Sequence, residues 1–240
     1  MDRIGGERRP RSLSDVATAA RFCDGLKYIG LVGAMADPPE IPGSYRPIEV
    51  MATLIKNTTK PILFWFNNRS AAKYVIEMLI ALRGDEEKAA QFPLCHPFLE
   101  PISPLRFPFD GIGILFETSR LNMPTPVGPT AQLGLSAPAT IAGTMAQENA
   151  EILAGICITQ WIRPELQVMY RGICHAFDMA ITQLIFSRPE QAIFGVAMTQ
   201  MGKHYGLPVY VNVGMTDSKR PDGQAGRGCR HIGVGCDCGC

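Results

Sequence analysis

The residues best suited to chemistry form one polar loop near the C-terminus. The loop follows residues 208–213, a run of β-branched and aromatic residues bounded by Pro and Gly that predicts a short buried strand. Carboxylates, an amine, hydroxyls and an amide then come close together, at Thr216, Asp217, Ser218, Lys219, Asp222 and Gln224. Such groups move protons or bind charged substrates, and α/β proteins place them in loops at the C-terminal ends of strands. A solvated surface loop is the alternative interpretation.

A second set of carboxylates lies inside the longest predicted helix, residues 139–161. At 100° per residue, Glu148 falls on an apolar face made by Ile141, Met145, Ile152 and Ile156. We therefore expect Glu148, Asn149 and Glu151 to be partly buried and to have partners, because an unpaired buried carboxylate costs several kcal/mol. Small residues should let neighbouring elements approach the rest of the helix closely: Ala142, Gly143, Ala146, Ala150, Ala154 and Gly155. The carboxylates fit either a structural network or a catalytic role.

Alternating strands and helices are predicted to position these groups. Strand-like runs occur near residues 28–32, 61–66, 94–99, 123–127, 167–170 and 208–213, and predicted helices near residues 14–25 (capped by Ser14), 47–57, 70–82, 110–121, 139–161 and 189–205. This order predicts βαβ units and a parallel sheet. Because no Gly-rich phosphate loop follows the early strands, a dinucleotide fold is disfavoured. The prediction is an α/β protein with a partial (β/α)8 TIM barrel of about six βα units.

Composition excludes some classes of function. The 240 residues are 46% hydrophobic with a formal net charge of +1, which does not favour nucleic acid or an anionic membrane as a partner. No window reaches the ~18 uninterrupted apolar residues of a membrane span. The basic, Gly- and Pro-containing residues 1–12 lack the apolar run of a signal peptide and are predicted to be a disordered leader. A cytoplasmic protein is expected.

Several segments resemble one family. They are residues 136–155 (Ser-Ala-Pro-Ala-Thr-Ile-Ala-Gly-Thr-Met-Ala-Gln-Glu-Asn-Ala-Glu-Ile-Leu-Ala-Gly), Ile102-Ser-Pro-Leu105, Tyr205-Gly-Leu-Pro208, Thr216-Asp-Ser-Lys219, Pro221-Asp222 and Gln224-Ala-Gly226. In this order the chain resembles the trimethylamine methyltransferase family from about residue 14 to residue 226. The resemblance implies a (β/α)8 barrel that moves a methyl group from an amine to the cobalt of a separate corrinoid (cobalamin) protein. It implies no cofactor or metal bound directly by this chain.

One departure from the family bears on the substrate. The trimethylamine-specific members place pyrrolysine just before the Ser/Thr-Asp-x-Lys run, where this sequence has Met215. In this respect the sequence resembles the family members without pyrrolysine, which demethylate quaternary amines such as betaines. Attack of cobalt(I) on a quaternary ammonium expels a neutral tertiary amine, so a dedicated general acid is unnecessary. A quaternary amine is therefore the expected substrate, with tertiary amines less suited.

The resemblance and the residue chemistry together give a candidate site. The predicted catalytic residues are Met215, Asp217, Lys219, Asp222 and Gln224, with Glu148 and Glu151 behind them. A quaternary ammonium has no N–H to donate, so aromatic faces should bind it. Phe64, Trp65 and Tyr170 are the candidates, and strand alternation would point either Trp65 or its two Phe neighbours into the barrel. Lys219, His96 or Arg171 could bind a substrate carboxylate. Packing in the core is the alternative for each aromatic residue.

The last residues depart from the family. Residues 227–240 form a Gly/Cys-rich tail that contains Cys229, His231, Cys236, Cys238 and Cys240. The tail is interpreted as a reading-frame or truncation junction, with a soft-metal site as the alternative. The predicted barrel domain is therefore residues 13–226. A second hypothesis is an inactive fragment that only binds amines or a partner subunit, including a second copy in a homo-oligomer. The scattered Cys23, Cys95, Cys157 and Cys174 are expected to be buried thiols.

Overall fold

The computed structural model describes residues 9–186, 188–211, 215 and 223. Over these residues the protein is α/β, as predicted, with nine short strands and seven α-helices. The chain forms two compact units. The first runs to Pro97 and includes Gly113–Met123, and the second comprises Phe98–Ile112 and the chain from Pro124 onward.

The first unit contains a three-stranded parallel sheet covered by helices. Its elements in chain order are α1 (Leu13–Asp24), β1 (Val32–Gly33), α2 (Arg46–Asn57), β2 (Ile62–Leu63), α3 (Arg69–Arg83), α4 (Glu86–Gln91) and β3 (Cys95–His96). The strands are in the sheet order β1-β2-β3 and are parallel, as the alternation of strands and helices predicted. The strands are shorter than expected, and α4 was not predicted.

Helix ends in this unit are fixed by side-chain caps. Ser12, not the predicted Ser14, is the N-cap of α1, where it forms a capping box with Asp15. The carboxylate of Asp15 also binds Arg9 at 2.8 Å, which fixes the described end of the predicted leader to α1. Gly25 ends α1, as predicted. Asn68 caps α3 by accepting from the N–H of Ala71 at 2.9 Å.

The remaining elements follow after β3. They are α5 (Phe109–Thr118) with a 3₁₀ turn at Ser119–Leu121, β4 (Thr125–Val127), β5 (Gln132–Leu133), α6 (Ile141–Ile162), β6 (Val168–Gly172), β7 (His175–Asp178), β8 (Gln183–Ile185), α7 (Pro189–His204) and β9 (Val209–Val211). In the second unit β4, β6 and β9 form a parallel sheet in that order. Leu99 adds a parallel bridge to Val127 at its edge.

A small third sheet corrects the expectation of purely parallel strands. Its order is β5-β7-β8, and β8 runs antiparallel to β7 through a tight turn. Antiparallel strands need only a short connection, whereas a parallel crossover needs a dozen residues or more. None of these three strands was predicted, because each is shorter than five residues and lacks a clear apolar alternation. The sheets of the described residues do not close into a barrel.

Helix α6 packs closely on one face. A Cβ added to Gly155 would lie 2.4 Å from Cγ1 of Val127, so the small residue permits the predicted close approach. On the opposite face the predicted close approach of neighbouring elements is wrong, because the small residues there are exposed: Ala142, Ala146, Ala150 and Ala154. The exposed face continues to Cys157 and Trp161. Cys157 is therefore not a buried thiol. Among the described helices, none is both long and apolar enough to cross a membrane.

Candidate functional site

In the sequence, the predicted catalytic loop follows β9. Strand β9 pairs with β6 so that Tyr210 lies opposite Arg171 and Val211 opposite Gly172, at the C-terminal ends of both strands. Of the predicted loop residues, Met215 is described and is 39% exposed. The others lie outside the described residues and stay predictions: Asp217, Lys219, Asp222 and Gln224.

Glu148 connects α6 to two of the loops beside that edge. Its side chain is fully buried. One carboxyl oxygen accepts from the backbone N–H of Ala131 at 2.9 Å, in the loop after β4, and the other accepts from the N–H of Ile173 at 2.8 Å, directly after β6. The predicted burial and pairing of Glu148 are confirmed, and the partners are backbone groups.

Glu151 connects α6 to a third loop. It is 1% exposed and accepts from the Ser103 hydroxyl at 2.6 Å, the Leu105 N–H at 2.9 Å and the Gln147 amide at 3.0 Å. Leu105 has a φ of 56°, in the left-handed region that such a side chain rarely adopts, so the hydrogen bond supports an unfavourable backbone. Two of the segments that carry the family resemblance, residues 102–105 and 136–155, therefore meet at this carboxylate.

Burial dominates the electrostatics of this pair. It raises the pKa of Glu148 to about 8, although the two backbone N–H donors act in the opposite direction and Glu151 raises the pKa further. Burial, together with the charge of Glu148, also raises the pKa of the neighbouring Cys174 thiol, so that thiol stays protonated. The arrangement holds the loops after β4 and β6 and the segment around Leu105 in fixed positions. A catalytic role for the two carboxylates stays a prediction.

Tyr170 lies in the packed core beside the helices. The structure places it in the middle of β6 rather than at a strand end, and its side chain is fully buried. The hydroxyl donates to the Asn149 side-chain oxygen at 2.8 Å, and the Asn149 amide donates to the Tyr205 hydroxyl at 3.1 Å. The expected burial and pairing of Asn149 are thus confirmed. Tyr170 matches the alternative interpretation of a core aromatic residue.

Arg171 projects from the other side of β6 into an aromatic and acidic environment. Its guanidinium lies 4.2 Å from the ring centroid of Phe98 and 5.7 Å from that of Tyr210. One terminal nitrogen, Nη1, donates to Glu100 at 2.7 Å and to the Gly128 carbonyl at 3.3 Å. The charge is therefore neutralised within the protein. The Arg171 side chain can pass residue 128 because glycine has no Cβ. A Cβ at this position would lie 2.6 Å from Cγ of Arg171.

Two of the predicted aromatic residues line a cavity in the first unit. Phe64 and Trp65 lie just after β2, and the cavity has a volume of about 470 Å³. The strand alternation predicted for this segment ends early, since β2 stops at Leu63. Phe64 and Phe66 are buried with their rings 5.0 Å apart, whereas Trp65 is 59% exposed. Both Phe64 and Trp65 can therefore face the same space.

His96, at the end of β3, is 7% exposed. Burial lowers its pKa to about 4, so the imidazole is uncharged at neutral pH and would not supply a cation for a substrate carboxylate. Burial likewise raises the pKa of Cys95, to about 12. In the part of the chain that the structure describes, no three His, Cys, Asp or Glu side chains are grouped to hold a metal ion.

Sequence reasoning missed the residues that complete both clusters. Asp37 and Arg46 line the cavity with Phe64 and Trp65, and Glu100 and Phe98 surround Arg171. One signal was available, because Glu100 directly follows a predicted strand, Asp37 comes five residues after another, and a proline follows each of them.

Parallel strands with polar and aromatic residues beyond their C-terminal ends define an α/β protein whose candidate functional residues lie in the strand-end loops. Comparison with known families makes this specific. The model of the family described as trimethylamine methyltransferase (MTTB) matches residues 1–231. The chain belongs to the trimethylamine methyltransferase family.

Individual relatives agree with this assignment. The chain is 30% identical over 224 residues to glycine betaine methyltransferase of Desulfitobacterium hafniense (strain Y51), covering 93% of this chain and 47% of that protein. It is 27% identical over 225 residues to trimethylamine methyltransferase MttB of Desulfitobacterium hafniense (strain DSM 10664 / DCB-2), covering 94% and 45%. It is 30% identical over 214 residues to trimethylamine methyltransferase MttB1 of Methanosarcina acetivorans, covering 88% and 43%. The chain spans about half the length of these curated relatives.

Proposed function

We propose that this chain is part of a (β/α)8 barrel that transfers a methyl group from a quaternary amine to the cobalt(I) of a corrinoid protein. The observation that carries the proposal is the family match over nearly the whole chain, combined with a relative named glycine betaine methyltransferase. Two parallel three-stranded sheets, with helices between successive strands, support the barrel.

The proposed reaction does not require acid–base catalysis by this chain. Cobalt(I) of a corrinoid on a partner protein would supply the electron pair that bonds to the methyl carbon. The electron pair of the broken C–N bond would go to nitrogen, and a neutral tertiary amine would leave. No proton is needed on the leaving group, so the task of the protein is to bind and orient the substrate and to exclude water. Met215 at the position where the trimethylamine-specific members have pyrrolysine supports this choice of substrate.

Residues beside the cavity of the first unit are compatible with a methyl acceptor carried by another protein. Met35 and Trp65, beside the cavity of the first unit, are 71% and 59% exposed respectively. Exposed apolar side chains beside a cavity are open to contact with another macromolecule. In the second unit, Glu148 and Glu151 accept hydrogen bonds from the backbone of three loops and fix the positions of those loops.

A direct assay tests the proposal. The chain is incubated with glycine betaine or trimethylamine and with free cob(I)alamin as the methyl acceptor, and the demethylated amine is followed by proton NMR. We expect dimethylglycine to form and dimethylamine not to form. Asp217→Asn should slow the reaction, and Asp110→Asn, at an exposed aspartate of α5, is the matched control. Demethylation of trimethylamine in preference to glycine betaine would contradict the proposal.

A further inference from the structure

The cavity of the first unit is built from three neighbouring pieces of chain. Residues 34–37 follow β1, residues 64–67 follow β2, and Arg46, Pro47 and Val50 belong to the first turns of α2. Strands β1 and β2 are parallel neighbours, so their C-terminal ends open into the same space. The volume of about 470 Å³ falls within the ~300–1,000 Å³ of small-molecule sites.

Arg46 is held so that part of its guanidinium remains available. Its Nε donates to the Ile41 carbonyl at 2.9 Å, and its Nη1 donates to Asp37 at 2.9 Å. Among the described residues, Nη2 has no hydrogen-bond acceptor. Two hydrogen bonds fix the planar group before a ligand arrives, which reduces the entropy lost on binding a carboxylate.

The other walls suit a diffuse positive charge. Trp65 offers an indole face, the aromatic surface that attracts cations most strongly, and Phe64 lies beside it. The Asp37 side chain is 75% exposed at the same cavity. A quaternary ammonium cannot donate a hydrogen bond, so an aromatic face with a nearby carboxylate is the environment that stabilises it.

We propose that this cavity binds a betaine, a zwitterion with a trimethylammonium group and a carboxylate, with Arg46 at the carboxylate and Trp65 and Asp37 at the ammonium. The inference rests on the proposed function and assigns its substrate class to named residues. The pair Arg46–Asp37 has no net charge and a large dipole, so a ligand with the opposite dipole and no net charge complements it.

Tryptophan fluorescence reports binding at the cavity. The sequence has two tryptophans, so Trp161→Phe leaves Trp65 as the sole reporter. Three ligands of similar shape separate the charges: glycine betaine carries both, choline carries the ammonium alone, and 3,3-dimethylbutanoate carries the carboxylate alone. We expect all three to change the Trp65 emission, with glycine betaine bound most tightly.

Two substitutions then act on opposite ends of the ligand. Arg46→Gln should weaken glycine betaine and 3,3-dimethylbutanoate about tenfold or more, because a charge-assisted hydrogen bond is lost, and should leave choline bound as well or better. Asp37→Asn should weaken choline and strengthen 3,3-dimethylbutanoate. Arg21→Gln, an exposed arginine of the same unit, makes the same change in net charge and is the control.

The opposite signs distinguish binding from a loss of structure, which would weaken all three ligands together. Equal effects on choline and 3,3-dimethylbutanoate, or an emission that no ligand changes, would overturn the inference. The selective pattern without any methyl transfer to cob(I)alamin would support the betaine site and refute the proposed reaction for this chain.

Discussion

Replacing Glu148 with glutamine tests the idea that α6 holds the strand-end loops through backbone hydrogen bonds. Each carboxyl oxygen accepts from a different backbone N–H, those of Ala131 and Ile173. An oxygen accepts whether or not the carboxyl is protonated, but the amide nitrogen of glutamine cannot accept. Glu148→Gln therefore buries one N–H against another donor, which costs about 1–3 kcal/mol. For a chain of this size that is a fall in Tm of roughly 2–12 °C at about pH 4.5, where the carboxyl of the folded protein carries its proton.

Glu151→Gln is the matched control, one turn further along α6 and equally buried. The Ser103 hydroxyl that donates to Glu151 can rotate and accept from the new amide, while the other oxygen keeps the Leu105 N–H. We expect a cost below about 1 kcal/mol. Thermal and urea unfolding at about pH 4.5, followed by circular dichroism, give both values. Equal stability of the Glu148→Gln and Glu151→Gln variants would refute the explanation from donor geometry.

The pH dependence follows from the same site. The folded protein keeps a proton on Glu148 up to about pH 8, whereas the unfolded chain releases it near 4.5. The folded state thus binds more protons in this range, so the free energy of unfolding falls as the pH rises from 4.5 to 8. Glutamine does not titrate, and the destabilisation by Glu148→Gln should shrink over that range. A constant difference between the two proteins would contradict the raised pKa.

Three further predictions concern single contacts. Tyr170→Phe should cost about 1 kcal/mol by removing the hydrogen bond to Asn149, measured by urea unfolding with Tyr74→Phe, an exposed tyrosine, as the control. Gly155→Ala should cost about 1–3 kcal/mol because its Cβ overlaps a neighbouring side chain, and an unchanged Tm would show that the contact relaxes freely. The His96 ring should show no titration between pH 5.5 and 8 in NMR, since its pKa is lowered to about 4.

Helices and their burial could be predicted from the sequence because their period is long enough to recognise. The predicted 139–161 helix is observed as Ile141–Ile162, and the burial of Glu148 followed from its position among apolar residues. Its partners could not be predicted, because a backbone N–H leaves no trace in the residue type. Strands of two to five residues give little alternation, which explains the missed β5, β7 and β8.

The sequence predicted some of the residues of the candidate site but not how they are arranged. The sequence predicts Phe64 and Trp65 as ammonium-binding residues, and both line one cavity. Arg46 and Asp37 were missed because their proximity depends on the loop after β1 folding back to the start of α2, a tertiary contact that local propensity does not encode. The same limit applies to Arg171, whose acidic partner Glu100 lies 71 residues away in the chain.

The contacts of Glu148 and Glu151 also determine how freely the loops can change during evolution or engineering. At Leu105, Ala131 and Ile173 the carboxylates bind a backbone N–H, which every residue except proline carries. These hydrogen bonds place no other demand on the residue type at the three positions. Libraries that randomise the loops to alter substrate preference can therefore vary exposed Leu105, where the φ of 56° favours Gly, Asn or Asp. Ala131 and Ile173 are buried, so packing limits them to residues of similar size and polarity. Proline is excluded at all three positions.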